Sequence, residues 1–191
     1  MAQVQELLPS RPLSRGCELR FFTEKNTPEH SDSDSPPSQH YYTELTYDAE
    51  VSSQVFEIPL HWHKHHDEWM QITEGEAYIT VENRTIHVQA GDEPIFIPRH
   101  HVHGLKCLPG VKTTMREWTI PGGRFKERFF RDAFEFGNPP PFLHIMRVFW
   151  DGDSYPSLPG NIKFLGQMFV FIFGGFAKLV MPAKIVPRTR A

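Results

Sequence analysis

The chain has 191 residues, with 20 Lys and Arg against 23 Asp and Glu for a formal net charge of −3. That length supports one full hydrophobic core and is short for two ordinary domains, and the charge balance offers no general attraction to nucleic acid, so no nucleic-acid partner is expected. Cys17 and Cys107 form no repeating framework and no apolar leader-like core opens the sequence, which makes a reducing, cytoplasmic setting the default expectation.

Along the chain, residues 18–23 (ELRFFT) read as a strand that adds to a sheet edge or to a partner. Residues 26–40 are rich in Pro, Ser and Asp with little to bury, and read as a loop or linker that closes an N-terminal segment, 1–40. From 41 to 120, short strand-like runs recur at 41–47, 55–63, 68–73, 76–82, 85–89, 95–98, 101–107 and 112–120. Glu74-Gly75, Asn83-Arg84, Gly91-Asp92 and Pro109-Gly110 punctuate them where a meandering sheet must turn. The pattern predicts a mainly β sandwich or barrel over 41–120, followed by a helical extension over 121–191. In that extension Phe125, Phe129, Phe130, Ala133 and Phe134 fall at helical spacing within 124–136, and a second short helix is expected over 143–150 after Pro139-Pro140-Pro141.

Histidines carry the chemical signal. His61, His63, His65 and His66 crowd one window, and His100, His101 and His103 another, out of 11 in the chain. Successive side chains of a strand point to opposite faces, so His61 and His63 share a face and are able to grip one ion. Glu68 follows after a short turn, and a carboxylate among imidazoles suits Fe, Mn, Co, Ni or Zn better than Ca or Mg. A second strand must supply a third imidazole, and His103, after the hydrophobic run 95–97 and Pro98, is the best candidate.

These residues resemble the cupin superfamily, whose first motif reads G(x)5HxH(x)3-4E(x)6G. His61, His63, Glu68 and Gly75 reproduce its distal part, while no glycine precedes His61 at the expected place. The second motif, G(x)5PxG(x)2H(x)3N, fits less closely: His100 stands where it has glycine and Cys107 where it has asparagine, but Pro98 and His103 keep their relative spacing. The alternative pairing of His63 with His65 leaves only two residues before Glu68 and fits worse. The resemblance implies a jelly-roll barrel, the double-stranded β-helix, with His61, His63, Glu68 and His103 as ligands of a divalent transition metal. His65, His66, His100 and His101 are read as partners of the ligands, substrate contacts or solvated residues, and for each taken singly the solvated reading is favoured.

Strand parity adds to the site. If Glu68 faces inward, Met70 and Ile72 share its face and make the cavity wall apolar. On the last strand Met115, Glu117 and Thr119 share a face, and an inward Glu117 would serve with Glu68 as a catalytic acid or base, although a charged residue more commonly faces solvent. By resemblance, single-domain cupins with a Phe-rich extension look like dioxygenases of the quercetin dioxygenase type, or tailoring enzymes for small aromatic or polyketide-like molecules. A non-redox lyase, isomerase or cyclase and a non-catalytic binding cupin are the alternatives.

The stretch 164–177 has Gln167 as its one strongly polar residue and five phenylalanines, and no acidic residue follows Asp153. Packing against the barrel or within a homodimer is favoured over contact with a membrane surface, since a run of about 14 apolar residues is short for a span. Either outcome requires an acceptor beyond the helix.

Overall fold

The computed structural model describes residues 3–25, 39–136 and 139–182. The loop expected over 26–40 falls almost wholly outside the described residues; its last two residues open a strand. Among the described residues, eleven strands form two antiparallel sheets. One contains β1 (Gln3–Ser14), β2 (Cys17–Lys25), β3 (Gln39–Tyr47), β10 (Thr113–Ile120), β5 (Asp67–Glu74) and β8 (Ile95–Ile97), in that order. The other runs β11 (Tyr155–Pro156), β4 (Glu57–Trp62), β9 (His103–Cys107), β6 (Glu76–Val81) and β7 (Arg84–Gln89). The architecture is a mainly β jelly-roll barrel with helices following it.

Alternation builds the core. In β5 the residues Glu68, Met70 and Ile72 are buried, and in β10 Thr113, Met115, Glu117 and Thr119 are buried. Leu19, Phe21, Leu45, Ile79, Val88, Ile97 and Leu105 join Met70, Ile72 and Met115 between the sheets. Each such aliphatic or aromatic side chain contributes about 1.5–3 kcal/mol by leaving water. Gly75 turns β5 into β6 at φ +72°, and a Cβ there would stand 2.0 Å from the Lys112 carbonyl oxygen. That position accepts no other residue without displacing backbone, a physical reason for the glycine at the end of the first motif.

The strand expected over 18–23 is the middle of β2. β1, which the sequence pattern did not mark, pairs with β2 through repeated register shifts, and so extends the first sheet by two strands before the expected barrel. Its proline and arginine content hides the alternation.

After β10 the chain turns into α1 (Phe125–Ala133) and α2 (Phe142–Gly152). It then crosses back as β11 to pair with β4, and ends as α3 (Lys163–Phe169), a π-helical turn (Val170–Gly174) and α4 (Gly175–Val180) in one continuous helix.

Candidate metal centre and adjoining cavity

β4 and β9 pair with His61 opposite His103, while His63 follows the end of β4 where the chain leaves one sheet for the other. Four residues later β5 begins, and its second residue, Glu68, enters the same space from the opposite sheet. The four residues singled out from sequence are therefore brought together by one crossover and one strand pair. His63, Glu68 and His103 are buried, and His61 is half-buried at the rim.

The three rings are held in one tautomer. His61 Nδ1 donates to the Pro59 carbonyl at 2.8 Å, His63 Nδ1 to the Asp153 carbonyl at 2.8 Å, and His103 Nδ1 to the His101 carbonyl at 2.9 Å. A carbonyl only accepts, so each Nδ1 carries the proton and each Nε2 presents a lone pair. Ligand atoms of His61, His63 and His103 lie within 4.8 Å of one another, as do those of His63, His66 and Glu68. Nε2 of His63 and Nε2 of His103 each stand 3.3 Å from a Glu68 oxygen, and neither has a partner in hydrogen-bonding geometry. Buried polar atoms without partners are costly, and these converge on one point with one carboxylate. The donor set fits a divalent transition metal.

Electrostatics favour the same neutral state at His61 and His63, and the opposite one at His103. Burial, with His66 and Lys126 nearby, holds His63 down to about 3, so it is neutral across the physiological range. Burial and the neighbouring imidazoles of His103 and His63 likewise push His61 well below its ordinary value. Burial works against the charged form of His103 as well, but Glu68 overrides it and raises that ring. Glu68 is held ionised against its own burial by Lys126 and His103.

Lys126 was not anticipated. It rises from the first turn of α1, is buried, and places Nζ 2.6 Å from Glu68 Oε2 and 2.5 Å from Glu117 Oε1. Glu117 does face inward, and the carboxylates flank one ammonium. Burial and the charge of Glu68 raise Glu117 to about 7, opposed by Lys126, while the two carboxylates raise Lys126 against its burial. A signal for Lys126 existed in the sequence: it sits three, four and seven residues before Phe129, Phe130 and Ala133, a cation on an apolar helix face.

Asp153 was also missed. It follows α2 at φ +57°, and besides its carbonyl bond to His63 its carboxylate accepts from the backbone N–H of Lys64 (3.1 Å) and of His65 (2.7 Å) and from His66 Nδ1 (3.0 Å). One buried residue thus fixes the whole 63–66 turn. His66 is correspondingly less peripheral than the sequence suggested: it is buried, stacks on His63 with ring centroids 4.0 Å apart, and directs an unpartnered Nε2 inward. His65 and His101 are half-buried and His100 is exposed, none of them among the convergent ligand atoms.

A cavity of about 440 Å³ meets this cluster at Glu117, while His61, His63, Glu68 and His103 do not line it. Leu19, Leu45, Ile58 and Met115 of the barrel and Phe129, Phe130, Phe134, Ile145 and Phe149 of α1 and α2 line it, and Glu117 is its buried acid. Glu117 therefore links the cavity, through Lys126, to Glu68. The apolar wall expected from Met70 and Ile72 is formed instead by Met115 and the helices, because Met70 and Ile72 are sealed in the core.

No family model matches the chain. Among curated proteins it is similar to Oxidoreductase macE of Penicillium terrestre, 23% identical over 131 residues, covering 60% of this chain and 50% of that one. The match thus spans about half the length of that relative. Among solved structures it is similar to KdgF from Halomonas sp., with 15% identity, a TM-score of 0.40, and coverage of 58% of this chain and 84% of that one. An RmlC-like cupin from Shewanella frigidimarina gives 18% identity and a TM-score of 0.40, covering 57% and 79%; the polyketide cyclase RemF from Streptomyces resistomycificus gives 24% and 0.38, covering 60% and 71%. The two-sheet jelly roll with its helical extension is a cupin-type fold.

Proposed function

We propose that this cupin-type barrel is a metal-dependent enzyme whose His61, His63, Glu68 and His103 hold one divalent transition ion beside a pocket for a small, largely apolar organic substrate. The observation that carries this reading is the trio of Nε2 lone pairs of His61, His63 and His103, each fixed by an Nδ1 bond to a backbone carbonyl and clustered within 4.8 Å, with those of His63 and His103 each 3.3 Å from a Glu68 oxygen. Three imidazoles and a carboxylate leave coordination positions open, so a bound redox metal would supply oxidation chemistry and a redox-inert one Lewis-acid polarisation.

The residues of the chain have definable tasks. Asp153 orients His63 and His66, and Lys126 neutralises Glu68 while keeping Glu117 within reach of the cavity. The cavity size falls within the range of small-molecule pockets, and its aromatic lining suits an aromatic or aliphatic skeleton. Glu117 would meet a polar group of that skeleton and give or take a proton there.

For the reaction class, an oxidoreductase of the dioxygenase type is the leading reading, and the name of the Penicillium relative is in keeping with it. A second reading, a non-redox lyase, isomerase or cyclase, is favoured by Glu117, a buried acid placed for proton transfer on the cavity wall. Elemental analysis of protein purified without affinity tag or chelator tests the shared premise: about one transition ion per chain is expected. His63→Ala and His103→Ala should each reduce it to background with the fold retained by circular dichroism. Protein that binds no ion after reconstitution with iron, manganese, nickel, cobalt and zinc would end the enzymatic reading. Once a substrate is found, turnover that stops without oxygen supports the oxidoreductase, and an unchanged anaerobic rate the lyase or isomerase.

A further inference from the structure

The terminal helix Lys163–Val180 is long and apolar enough to cross a membrane by length and composition, yet it is docked along its length to the protein body. Four small residues make the seam: Gly166, Val170, Gly174 and Ala177 are its buried positions. A Cβ on Gly166 would stand 2.2 Å from the Pro156 carbonyl oxygen, and one on Gly174 would stand 2.8 Å from both the Met146 carbonyl oxygen and Trp150 Cβ. So close an approach fixes which way the helix faces. It cannot turn its other side inward.

That other side is apolar and uncovered. Phe164 (65% exposed), Phe171 (61%), Ile172 (55%), Phe176 (52%) and Leu179 (83%) project from it. Phe142 of α2, whose ring meets Phe169 and Phe173, continues the patch. With 3.6 residues per turn, or slightly more through the π-helical turn, these side chains occupy roughly half the helix circumference. Helices that are apolar well beyond one stripe require an apolar surrounding, and large contiguous patches mark interaction sites.

Charge selects the occupant. All 23 acidic residues of the chain precede Ser154, and the sequence from there to Ala191 holds Lys163, Lys178, Lys184, Arg188 and Arg190 with no acid. Among the described residues Lys163 pairs with Glu82 and Lys178 lies over the Trp150 ring, and the sequence after residue 182 adds three basic residues and no acidic one. A second copy meeting this face would bring like charges together, and would cover one stripe of a helix that is apolar over half its girth. A fluid anionic surface satisfies both features: lipid conforms to the exposed arc and its headgroups attract the cations.

We propose that this helix lies in the plane of an anionic phospholipid surface, with its glycine seam on the protein and its Phe171, Phe176 and Leu179 face among the acyl chains. The inference is independent of the metal centre. Its consequence is geometric: α2, against which the helix is seated, also lines the cavity through Ile145 and Phe149, so docking would hold the cavity wall close to the bilayer.

Co-sedimentation of the full-length protein with vesicles tests it. Vesicles of phosphatidylcholine with about 30% phosphatidylserine should retain the protein more strongly than pure phosphatidylcholine, and salt should weaken the difference. The variant Phe171→Ser/Phe176→Ser/Leu179→Ser changes only exposed side chains, so its melting temperature and metal content should match the parent while vesicle binding falls at least about tenfold. Lys178→Glu should lower binding to the anionic vesicles alone. No retention on either vesicle, or retention unaffected by the triple substitution, would overturn the proposal. So would a stable dimer in sedimentation equilibrium that ignores vesicles and is split by the triple substitution, which would assign the face to a second copy.

Discussion

The barrel and the helical extension contribute to the candidate centre in different currencies. The barrel supplies donors: His61, His63, Glu68 and His103 arise from β4, the turn after it, β5 and β9, and face one another because sheet pairing puts them there. The extension supplies no donor of that set. It sends Lys126 from α1 to neutralise Glu68, and Asp153 from the end of α2 to fix the turn that carries His63 and His66. A ligand set is thus a property of the sheets, while its charge and orientation are set by elements that a bare barrel would not possess. Separating the two contributions experimentally is the way to sharpen that contrast.

The largest effect on the folded protein is expected at Lys126. Lys126→Met leaves Glu68 and Glu117 buried without their shared cation, and breaking a buried ion pair on one side costs about 3–5 kcal/mol. In metal-free protein this should appear as a lowered midpoint in denaturant, with the double variant Lys126→Met/Glu117→Gln recovering a substantial part. A metal bound at Glu68 would replace some of the lost charge, so the loss should be smaller in metal-loaded protein. Equal losses in both forms would mean that Lys126 acts through packing rather than charge.

Asp153 tests orientation instead. Asp153→Gly keeps the positive φ and the carbonyl that accepts from His63, but removes the carboxylate that holds His66 and the backbone of 64 and 65. Metal affinity, measured by chelator competition, should fall about 10–100-fold, the range for partners that orient ligands. An unchanged affinity would show that the carbonyl alone suffices and that the carboxylate serves only the turn.

These two residues also mark where sequence reading stops. The eight barrel strands were legible because apolar positions alternate and Gly, Asn and Pro punctuate them, and the ligand set was legible because the ligands lie on short, regularly spaced motifs. Lys126 meets Glu68 across 58 positions, and Asp153 meets His63 and His66 across 90 and 87. No local period encodes such encounters, since they depend on how α1 and α2 fold back over the barrel mouth. Glu117 lies between these cases: parity put it on the inward face, but its burial depends on the cation that α1 delivers. His66 looked like one more residue of a crowded loop until Asp153 turned it inward.

Glu117 gives the comparison a pH signature. Its folded value, raised to about 7 from an ordinary 4.5, means that the unfolded chain releases this proton first as pH rises. The native state therefore binds more protons between those values, and this group's contribution to stability declines from about pH 4.5 to 7 and is constant outside that window. His63, depressed to about 3 from 6.5, acts in the opposite sense, adding stability as pH rises from its folded to its unfolded value. The informative quantity is the difference between parent and Glu117→Gln in metal-free unfolding free energy. The parent should lose ground to the variant as pH rises through that window, whereas a pH-independent difference would place the titration elsewhere.

The smallest expected effect concerns a histidine that the crowded sequence makes conspicuous. His100 occupies the place where the second cupin motif has glycine, and the structure gives the reason for the motif: φ is +68° there, a conformation that costs a side-chain-bearing residue about 1 kcal/mol. Its ring is exposed, and its backbone N–H donates to the His63 carbonyl at 2.7 Å. The backbone bond is available to any non-proline residue, so what the position contributes to the centre is a peptide group and not an imidazole. His100→Gly should leave metal content unchanged and raise the melting temperature by a few degrees at most, because relief of the strained φ is partly offset by the greater freedom of glycine in the unfolded chain. Loss of metal in this variant would instead place the His100 ring at the centre and require the rim of the barrel to move inward on binding.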